Sequence, residues 1–314
     1  MIFLYIILIL IGCVVLVKSA DLVIKNLTKI AAVLHWSEFV VSFVIVAVTT
    51  SLPEIAVGLV SAVNQIPSLS LGNVIGANII NLTLILGLVA IISNGLSLKT
   101  KGLEVNVIFA IILSFLPMLF ALDGILSRLD GLIILICFIL YLILMFKIKE
   151  EFKKEFSNHP KREFLKFVFQ LVLGLILLVL SAQLITNLVK ILAAGFNLSP
   201  IFIGLLIVSL GTTLPELTFG VRAAIKKHQE MSLGSSLGTI VTNSCLALGL
   251  AAVIYPIQII NLNNFLMMFG FLILASLIFA IFIYSKKQLS LKEGVALVIF
   301  YIVFVIFQIF SNRP

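Results

Sequence analysis

Apolar residues run along this chain in long blocks that are separated by short polar stretches. Each block is close to the roughly 20 residues that an α-helix needs to cross the hydrocarbon core of a bilayer. The ten segments lie at residues 2–17, 38–62, 69–94, 102–121, 129–147, 164–188, 200–224, 231–254, 263–284 and 291–311. The pattern predicts an all-α polytopic membrane protein with ten transmembrane helices.

The composition agrees with this fold class. Of the 314 residues, 62% are hydrophobic and 11% are charged, whereas soluble domains are roughly 25% charged. This excludes a soluble enzyme, a nucleic-acid-binding protein and a disordered scaffold. The three cysteines (Cys13, Cys137 and Cys245) have neither metal-site spacing nor the pattern of a disulfide framework, so we interpret them as membrane-buried thiols.

The basic residues orient the predicted spans. Cytoplasmic loops of membrane proteins carry an excess of Lys and Arg. If the polar stretch at 147–166 is cytoplasmic, 18 of the 21 Lys and Arg residues fall on that side, and only Arg128, Lys190 and Arg313 fall on the other. Both termini are then predicted to lie outside the cell. Because the central linker is short and carries no regulatory calcium-binding domain, we expect a prokaryotic plasma membrane.

An internal repeat relates the two halves of the sequence at one constant offset. The segment 48–54 (VTTSLPE) matches 210–216 (LGTTLPE), and 71–76 (LGNVIG) matches 233–238 (LGSSLG). Asn81 matches Asn243 at the same offset. Chance similarity between apolar helices would not place every matched pair at the same spacing without gaps, so the two halves are a repeat.

The repeat predicts the domain organisation. Residues 1–147 form a first half of five spans, 148–163 a short cytoplasmic linker, and 164–314 a second half of five spans. An odd number of spans places the second half upside down relative to the first. Inverted repeats of this kind are typical of secondary transporters, whose substrate sites lie near the midplane where the repeats meet.

Two carboxylates lie deep inside apolar spans, at equivalent positions of the two halves. They are Glu54 and Glu216, and each follows a proline, Pro53 or Pro215. A carboxylate in mid-membrane is costly and points to function. Proline breaks a helix and frees backbone carbonyls, which membranes tolerate only where protein or water covers them. We therefore predict a site at these two breaks.

The side chains around the two glutamates offer only oxygen ligands of the hard type. Hydroxyls come from Thr50, Ser51, Thr212 and Thr213, and amides from Asn81 and Asn243. Hard cations such as Ca²⁺, Mg²⁺ and Na⁺ prefer oxygen, whereas Zn²⁺ and copper prefer nitrogen or sulfur. Two carboxylates neutralise one divalent ion, and a flexible site that mixes carbonyls with carboxylates favours Ca²⁺ over Mg²⁺.

These motifs resemble the two alpha repeats of the sodium/calcium exchanger family. The resemblance rests on TSLPE at 50–54 and GTTLPE at 211–216, each followed by a Gly-x-x-x-Gly-x-x-x-x-Asn segment, and it extends over essentially the whole chain. It implies exchange of Ca²⁺ for Na⁺ by alternating access, electrogenic, with the first and sixth spans sliding across the others. It also implies no cofactor, the two ions as substrates, a bilayer around the protein and a monomer as the functional unit.

The resemblance implies a role for each matching residue. Glu54 and Glu216 would be the central Ca²⁺ ligands, completed by the backbone oxygens of Thr50 and Thr212. Sodium sites would share the two glutamates. Their other ligands would be the carbonyls of Ala47 and Ser209 and the hydroxyls of Ser51, Thr213 and Thr239. Asn81 and Asn243 occupy the remaining pair of central polar positions.

Three positions depart from the family pattern. Thr49 replaces a glycine, which stiffens the broken helix. Ala77 replaces a serine, so one sodium site loses a hydroxyl, whereas its counterpart Thr239 keeps one. Asn243 replaces the Asp of some relatives, and two rather than three negative charges in the cavity argue against potassium co-transport.

Four alternatives stay open at the level of sequence. The first is a Ca²⁺/H⁺ antiporter, in which protonation of Glu54 and Glu216 takes the place of sodium binding. The second is an intramembrane enzyme, which the absence of a GxSxG elbow, an HExxH motif and paired intramembrane Asp residues disfavours. The third is a non-transporting structural membrane protein, which the two intact glutamates disfavour. The fourth is a channel, which the absence of a repeated pore loop disfavours. We predict a transporter and not an enzyme.

Overall fold

The protein is almost entirely helical in a computed structural model, which describes residues 2–33, 51–97, 103–148, 164–196, 198–225, 229–286 and 288–311. The helices are α1 (Ile2–Val33), α2 (Leu52–Val63), α3 (Ser68–Ile80), α4 (Leu86–Ile92), α5 (Leu103–Phe120), α6 (Arg128–Ile148), α7 (Phe164–Phe196), α8 (Pro200–Ile203), α9 (Ser209–Thr212), α10 (Leu214–Ile225), α11 (Gln229–Val241), α12 (Leu248–Ile254), α13 (Leu262–Lys286) and α14 (Leu291–Ser311). The predicted all-α class is confirmed.

Three π-helices and four short strands connect these elements. The π-helices are π1 (Asn81–Ile85), π2 (Gly204–Val208) and π3 (Thr242–Ala247), and a 3₁₀ turn (Ala121–Asp123) follows α5. The strands are β1 (Leu96–Ser97), β2 (Ile125–Leu126), β3 (Ile257–Gln258) and β4 (Gln288–Leu289). β1 pairs with β4 and β2 with β3, both antiparallel, so each pair joins one half of the chain to the other.

Six stretches of the described chain are long and apolar enough to cross a membrane by length and composition. A seventh is obtained if Pro200–Thr212 and Leu214–Ile225, bent by 43°, count as one broken span. The predicted segments 102–121 and 129–147 correspond to α5 and α6. Most of the linker 148–163, and residues 38–50 of the second predicted span, lie outside the described residues. The count of ten spans stays a prediction.

Large apolar side chains cover the outer faces of the long helices. On α1, α7 and α14 these include Phe3, Leu165, Phe169, Ile302 and Phe310, each more than half exposed. A continuous apolar exterior of this kind suits hydrocarbon and not water. In contrast, nearly every side chain of α3 and π1 is buried, so this segment forms the centre of the bundle.

The two longest helices, α1 and α7, pack against each other in opposite directions. A Cβ placed on Gly12 would lie 3.0 Å from Ile185, and one on Gly174 would lie 2.9 Å from Val23. In the repeat, Gly174 is the counterpart of Gly12, and Ile185 is the counterpart of Val23. Equivalent helices that run antiparallel, with equivalent contacts, are what an inverted repeat requires.

Further close contacts join the halves. A Cβ on Gly131 would meet the Gly249 carbonyl oxygen at 2.8 Å, and a Cβ on Gly294 would meet the Gly87 carbonyl oxygen at 2.8 Å. These glycines allow α6 to cross α12, and α14 to cross α4, at backbone contact. The same kind of glycine contact therefore occurs at both crossings.

Helices α6 and α14 begin with the same capping arrangement. The Ser127 hydroxyl and backbone N–H donate to the Asp130 carboxylate at 2.6 and 2.8 Å. The Ser290 hydroxyl and N–H donate to Glu293, both at 2.7 Å. Reciprocal caps of this type satisfy donors that a helix start leaves free. They fix where α6 and α14 begin.

A polar cluster ties the end of α2 to α7. The Asn64 side chain donates to the Gln183 side-chain oxygen at 2.9 Å, and its own oxygen accepts from Lys190 at 3.3 Å. Gln183 also donates to Asn187 at 3.2 Å. The helix that carries Glu54 is thus connected to one of the two long helices.

Candidate functional site

Glu54 and Glu216 occupy the same place in two matching helix starts. Each lies in the first turn of its helix, α2 or α10, directly after the proline. The residue before each helix has nearly the same backbone conformation: φ −87°, ψ 6° at Ser51 and φ −84°, ψ 4° at Thr213. We call the segments 51–54 and 213–216 the Pro-Glu breaks. The positive end of each helix dipole lies next to its carboxylate and favours the charged form.

The two carboxylates are buried, and the described part of the chain gives them no hydrogen-bond partner. Glu54 is 0% and Glu216 3% exposed, and none of their four carboxylate oxygens has a hydrogen-bond partner among the described residues. The two groups are near enough to interact electrostatically. The Thr212 hydroxyl lies near Glu54 but donates to the Asn73 side-chain oxygen at 3.1 Å. Burying unpaired charge is costly unless a cation matches it, so the pair is arranged for a positively charged occupant.

The other two hydroxyls at the breaks differ in whether they have a hydrogen-bond partner in the described chain. The Ser51 hydroxyl is fully buried and has no partner within the described chain. The Thr213 hydroxyl donates to the Ser209 carbonyl at 2.7 Å, and the Thr213 N–H donates to the same oxygen at 3.0 Å. The Thr212 hydroxyl is a third donor near the Ser209 carbonyl oxygen, at 3.3 Å. The Ser209 carbonyl, predicted as a sodium ligand, is thus engaged by three donors.

The two predicted asparagines lie in the π-helices of opposite halves. Asn81 opens π1 and Asn243 is the second residue of π3, and both are fully buried. The Asn81 amide donates to the Ala77 carbonyl at 2.9 Å and leaves its oxygen without a partner in the described chain. Neither side-chain polar atom of Asn243 has one there. Short π segments are frequent at functional sites. Thr239, the counterpart of Ala77, is also fully buried.

Glycines on α3 bring the two halves together at this place. A Cβ on Gly72 would lie 1.9 Å from the Ile201 carbonyl oxygen. A Cβ on Gly76 would lie 2.2 Å from the Leu205 carbonyl oxygen and 2.5 Å from the Ser209 hydroxyl. Backbone therefore packs on backbone along this face, which places Ser209 beside the segment that contains Ala77.

Two predicted ligands fall outside the part of the chain that the structure describes. They are Ala47 and Thr50. Thr49, which departs from the family pattern, also lies outside the described residues. The described part of the site comprises Ser51, Glu54, Ala77, Asn81, Ser209, Thr212, Thr213, Glu216, Thr239 and Asn243, all of them buried.

The sequence reasoning missed two residues at the site. Asn73 contacts Thr212, and it precedes Ala77 by four positions on the same helix, a periodicity that was available as a signal. Cys13 of α1 was interpreted only as a buried thiol. Its Sγ lies 2.4 Å from where a Cβ on Gly211 would be, and it is near enough to Glu54 to interact with it. No sequence signal connects Cys13 to the break.

The chemistry of this arrangement is that of a hard-cation site. Within the described ranges there is no group of three or more His, Cys, Asp or Glu side chains that could hold a metal ion. The donors are two carboxylates with hydroxyl, amide and backbone oxygens, which suit Ca²⁺ and Na⁺. One carboxylate comes from each half, so the arrangement suits a cation held where the halves meet.

Comparison with known proteins identifies the family. The model of the family "Sodium/calcium exchanger protein" matches residues 4–147 and 166–310. The chain belongs to the sodium/calcium exchanger family. The sodium/calcium exchanger MaX1 of Methanosarcina acetivorans is 29% identical over 342 residues, covering 95% of this chain and 96% of its own. The putative antiporter CaxA of Alkalimonas amylolytica is 30% identical over 258 residues, covering 79% and 80%.

Solved structures of an exchanger also resemble this fold. The sodium-calcium exchanger NCX_Mj, soaked with 100 mM Na⁺ and 10 mM Sr²⁺, matches with a TM-score of 0.65 and 28% identity over 100% of both chains. The same protein soaked with 2.5 mM Na⁺ and 0.1 mM Ca²⁺ gives the same three values. Membership in this exchanger family makes the chain a multi-pass membrane transporter that needs no cofactor and is not an enzyme.

The contact between Asn73 and Thr212 leads to a first prediction. Replacing Asn73 by Ala removes the acceptor in the other half of the chain and leaves the Thr212 hydroxyl with the Ser209 carbonyl oxygen at 3.3 Å. A hydrogen bond contributes about 1 kcal/mol net, so we expect roughly fivefold weaker Ca²⁺ binding in the exchanger. The measurement is the Ca²⁺ concentration that half-saturates uptake into proteoliposomes.

Ser235→Ala is the matched control, because Ser235 is the equivalent residue of the second half. We expect its half-saturating Ca²⁺ concentration to stay within about twofold of wild type, since it removes no hydrogen bond of this kind. Equal effects of the two substitutions would contradict a role for the Asn73 contact.

Proposed function

We propose that this protein exchanges Ca²⁺ for Na⁺ across the cell membrane by alternating access, and that the exchange is electrogenic. The observation that carries the proposal is the pair of buried carboxylates, Glu54 and Glu216, whose four oxygens have no hydrogen-bond partner among the described residues. Family membership and the solved structures of NCX_Mj with Na⁺, Ca²⁺ or Sr²⁺ support the choice of ions.

The two glutamates would bind Ca²⁺ and Na⁺ in turn. In the Ca²⁺ form, both carboxylates ligate the ion and neutralise its charge, and the backbone oxygens of Thr50 and Thr212 complete the shell. In the Na⁺ form, the same carboxylates bind Na⁺ together with nearby oxygens. Those oxygens belong to Ala47, Ser209, Ser51, Thr213 and Thr239, with Asn81 and Asn243 at the centre and Ala77 contributing no hydroxyl. Because one set of charges serves both ions, each displaces the other.

Alternating access would come from the two inverted halves. We assign residues 1–147 and 164–314 to these halves and 148–163 to a cytoplasmic linker. Helices α1 and α7 would slide together across the remaining bundle. Their mutual antiparallel packing, with Gly12 and Gly174 at the contact, supports motion as one unit. Movement of α1 would carry Cys13 away from Gly211 and open the neighbouring Pro-Glu break at 213–216 to water.

The distribution of basic residues supports the orientation. We place both termini outside a prokaryotic plasma membrane and the linker in the cytoplasm, with a monomer as the transporting unit. Each half supplies one glutamate and the contact between Gly76 and Ser209 joins the halves, so one chain contains the complete candidate site.

The test is ⁴⁵Ca²⁺ uptake into proteoliposomes that hold the purified protein. An outward Na⁺ gradient should drive uptake, and an inside-positive potential should accelerate it. Uptake driven only by an outward H⁺ gradient would replace this proposal with Ca²⁺/H⁺ exchange. No uptake by folded protein under either gradient would refute both.

Ala77 gives the sharpest distinction between the two coupling ions. The residue is fully buried and carries no hydroxyl. We expect Ala77→Ser to restore one sodium ligand and to lower the Na⁺ concentration that half-saturates Ca²⁺ exchange by about fivefold, the value of one polar contact. Ala90→Ser, also at a fully buried alanine, is the control. An unchanged Na⁺ dependence with an increased H⁺ dependence would favour the proton-coupled alternative.

A further inference from the structure

Two serine hydroxyls at equivalent positions of the two halves are buried without hydrogen-bond partners. Ser70 in α3 and Ser232 in α11 are counterparts in the repeat, and each is 0% exposed. Within the described chain, neither Oγ has a partner. A buried polar group without a hydrogen-bond partner destabilises the folded protein. That cost occurs twice, at symmetry-related places.

Each hydroxyl faces the glycine that lies one helical turn beyond a glutamate. A Cβ on Gly58 would lie 3.0 Å from the Ser70 Oγ, and a Cβ on Gly220 would lie 3.1 Å from the Ser232 Oγ. Gly58 follows Glu54 by four positions, as Gly220 follows Glu216. Four residues rise about 6 Å along a helix and return to the same face. Each hydroxyl therefore lies alongside a glutamate-bearing helix, one turn farther from the Pro-Glu break.

The surroundings of the two glycines are also equivalent across the halves. The Gly58 Cβ position is 3.3 Å from the Ala247 carbonyl oxygen, at the end of π3. The Gly220 Cβ position is 3.0 Å from Ile85, at the end of π1. Ala247 and Ile85 are themselves counterparts in the repeat. Each serine hydroxyl thus lies where its own half meets the π-helix of the other.

We propose that Ser70 and Ser232 are auxiliary cation ligands, one on each side of the glutamate pair. Each hydroxyl oxygen would receive a partly dehydrated Ca²⁺ or Na⁺ ion as the ion passes between the glutamates and one face of the membrane. This inference rests on the exchange function proposed above. It extends the site along the route to water and adds one oxygen at each end.

The inverted arrangement places the two hydroxyls on opposite sides of the pair. Helix α2 leads away from Glu54 past Gly58, and α10 leads away from Glu216 past Gly220. Since the equivalent helices α1 and α7 run in opposite directions, the halves point to opposite membrane faces. A packing role alone would be served by alanine, which carries no unsatisfied oxygen.

The experiment measures Ca²⁺ dependence separately at each face. Ser70→Ala and Ser232→Ala are reconstituted in vesicles of known orientation, and half-saturating Ca²⁺ is measured with Ca²⁺ supplied from one side at a time. We expect each variant to weaken apparent affinity about three- to tenfold at one face and less than about twofold at the other, the scale of one polar contact. The faces affected should be opposite for the two variants.

Two further variants separate ligation from packing. Ser70→Cys and Ser232→Cys keep nearly the size of serine but replace the hard oxygen by sulfur, which Ca²⁺ disfavours. They should behave like the alanine variants. Ser276→Ala is the control, because the buried Ser276 hydroxyl already donates to the Leu272 carbonyl at 2.8 Å.

The possible outcomes are distinct. Unchanged affinity at both faces, or equal loss at both faces, would overturn the assignment of Ser70 and Ser232, even though wild-type exchange continued. Absence of Ca²⁺ exchange in the wild type would refute the proposed function instead. Thermal unfolding in detergent checks that each variant is folded, and the cysteine variants test the same assignment if an alanine variant is not.

Discussion

Glu54→Gln and Glu216→Gln should each abolish Ca²⁺ exchange. Gln keeps the size of the side chain but removes one of the two negative charges that face the ion. Two opposite unit charges about 4 Å apart attract by about 4 kcal/mol at an effective dielectric constant of about 20. Ca²⁺ carries two charges, so the loss corresponds to at least a roughly thousandfold weakening of Ca²⁺ binding. The measurement is ⁴⁵Ca²⁺ uptake under a Na⁺ gradient, with Ca²⁺ binding to the detergent-solubilised protein as the second readout.

The two glutamine variants should be as stable as the wild type in the absence of ions, or more stable. Each removes a buried carboxylate that has no hydrogen-bond partner in the described chain, and burial of such a charge is destabilising. Asp123→Asn is the control, because the Asp123 oxygen accepts from the Ile125 N–H at 3.1 Å in an exposed turn and asparagine can keep that bond. Exchange by either Glu variant at the wild-type rate would refute the assignment of the site.

Gly76→Ala should impair the site through packing. The added methyl would lie 2.2 Å from the Leu205 carbonyl oxygen and 2.5 Å from the Ser209 hydroxyl, distances at which atoms cannot remain. Helix α3 must then move away from π2 and α9. Overpacking of this type costs about 1–3 kcal/mol, which corresponds to a loss of roughly tenfold or more in a site that needs both halves. We expect strongly reduced exchange and a lower Tm.

Gly270→Ala provides the matched control for this prediction. Gly270 lies inside α13, and a Cβ there would have nothing within 4 Å among the described residues. Alanine is favoured over glycine in a helix by about 1 kcal/mol. The control should therefore exchange Ca²⁺ normally and melt at the same or a higher temperature. Wild-type exchange by Gly76→Ala would show that α3 does not need this close approach.

The sequence contained the membrane class, the repeat and the chemistry of the site. Apolar length follows directly from bilayer thickness, and a charge inside an apolar span is costly, so Glu54 and Glu216 could be identified from the sequence. The constant offset between the halves could be recognised in the sequence because equivalent residues make equivalent packing contacts. The Pro-Glu breaks were predicted on the same basis, since proline acts on its own helix.

Only the tertiary structure decided which residues of the two halves meet. The contact of Asn73 with Thr212, the approach of Gly76 to Ser209 and the cover that Cys13 gives to Gly211 each join a segment of the first half to one of the second. Local pattern cannot report such pairs, because they depend on how helices cross and not on how one helix forms. The π-helices were equally hidden, because a helix that is apolar on all sides has no polar pattern in which the shifted hydrogen-bond register could be read. The sequence therefore determined the ligand chemistry, and packing between the halves determined where each ligand lies.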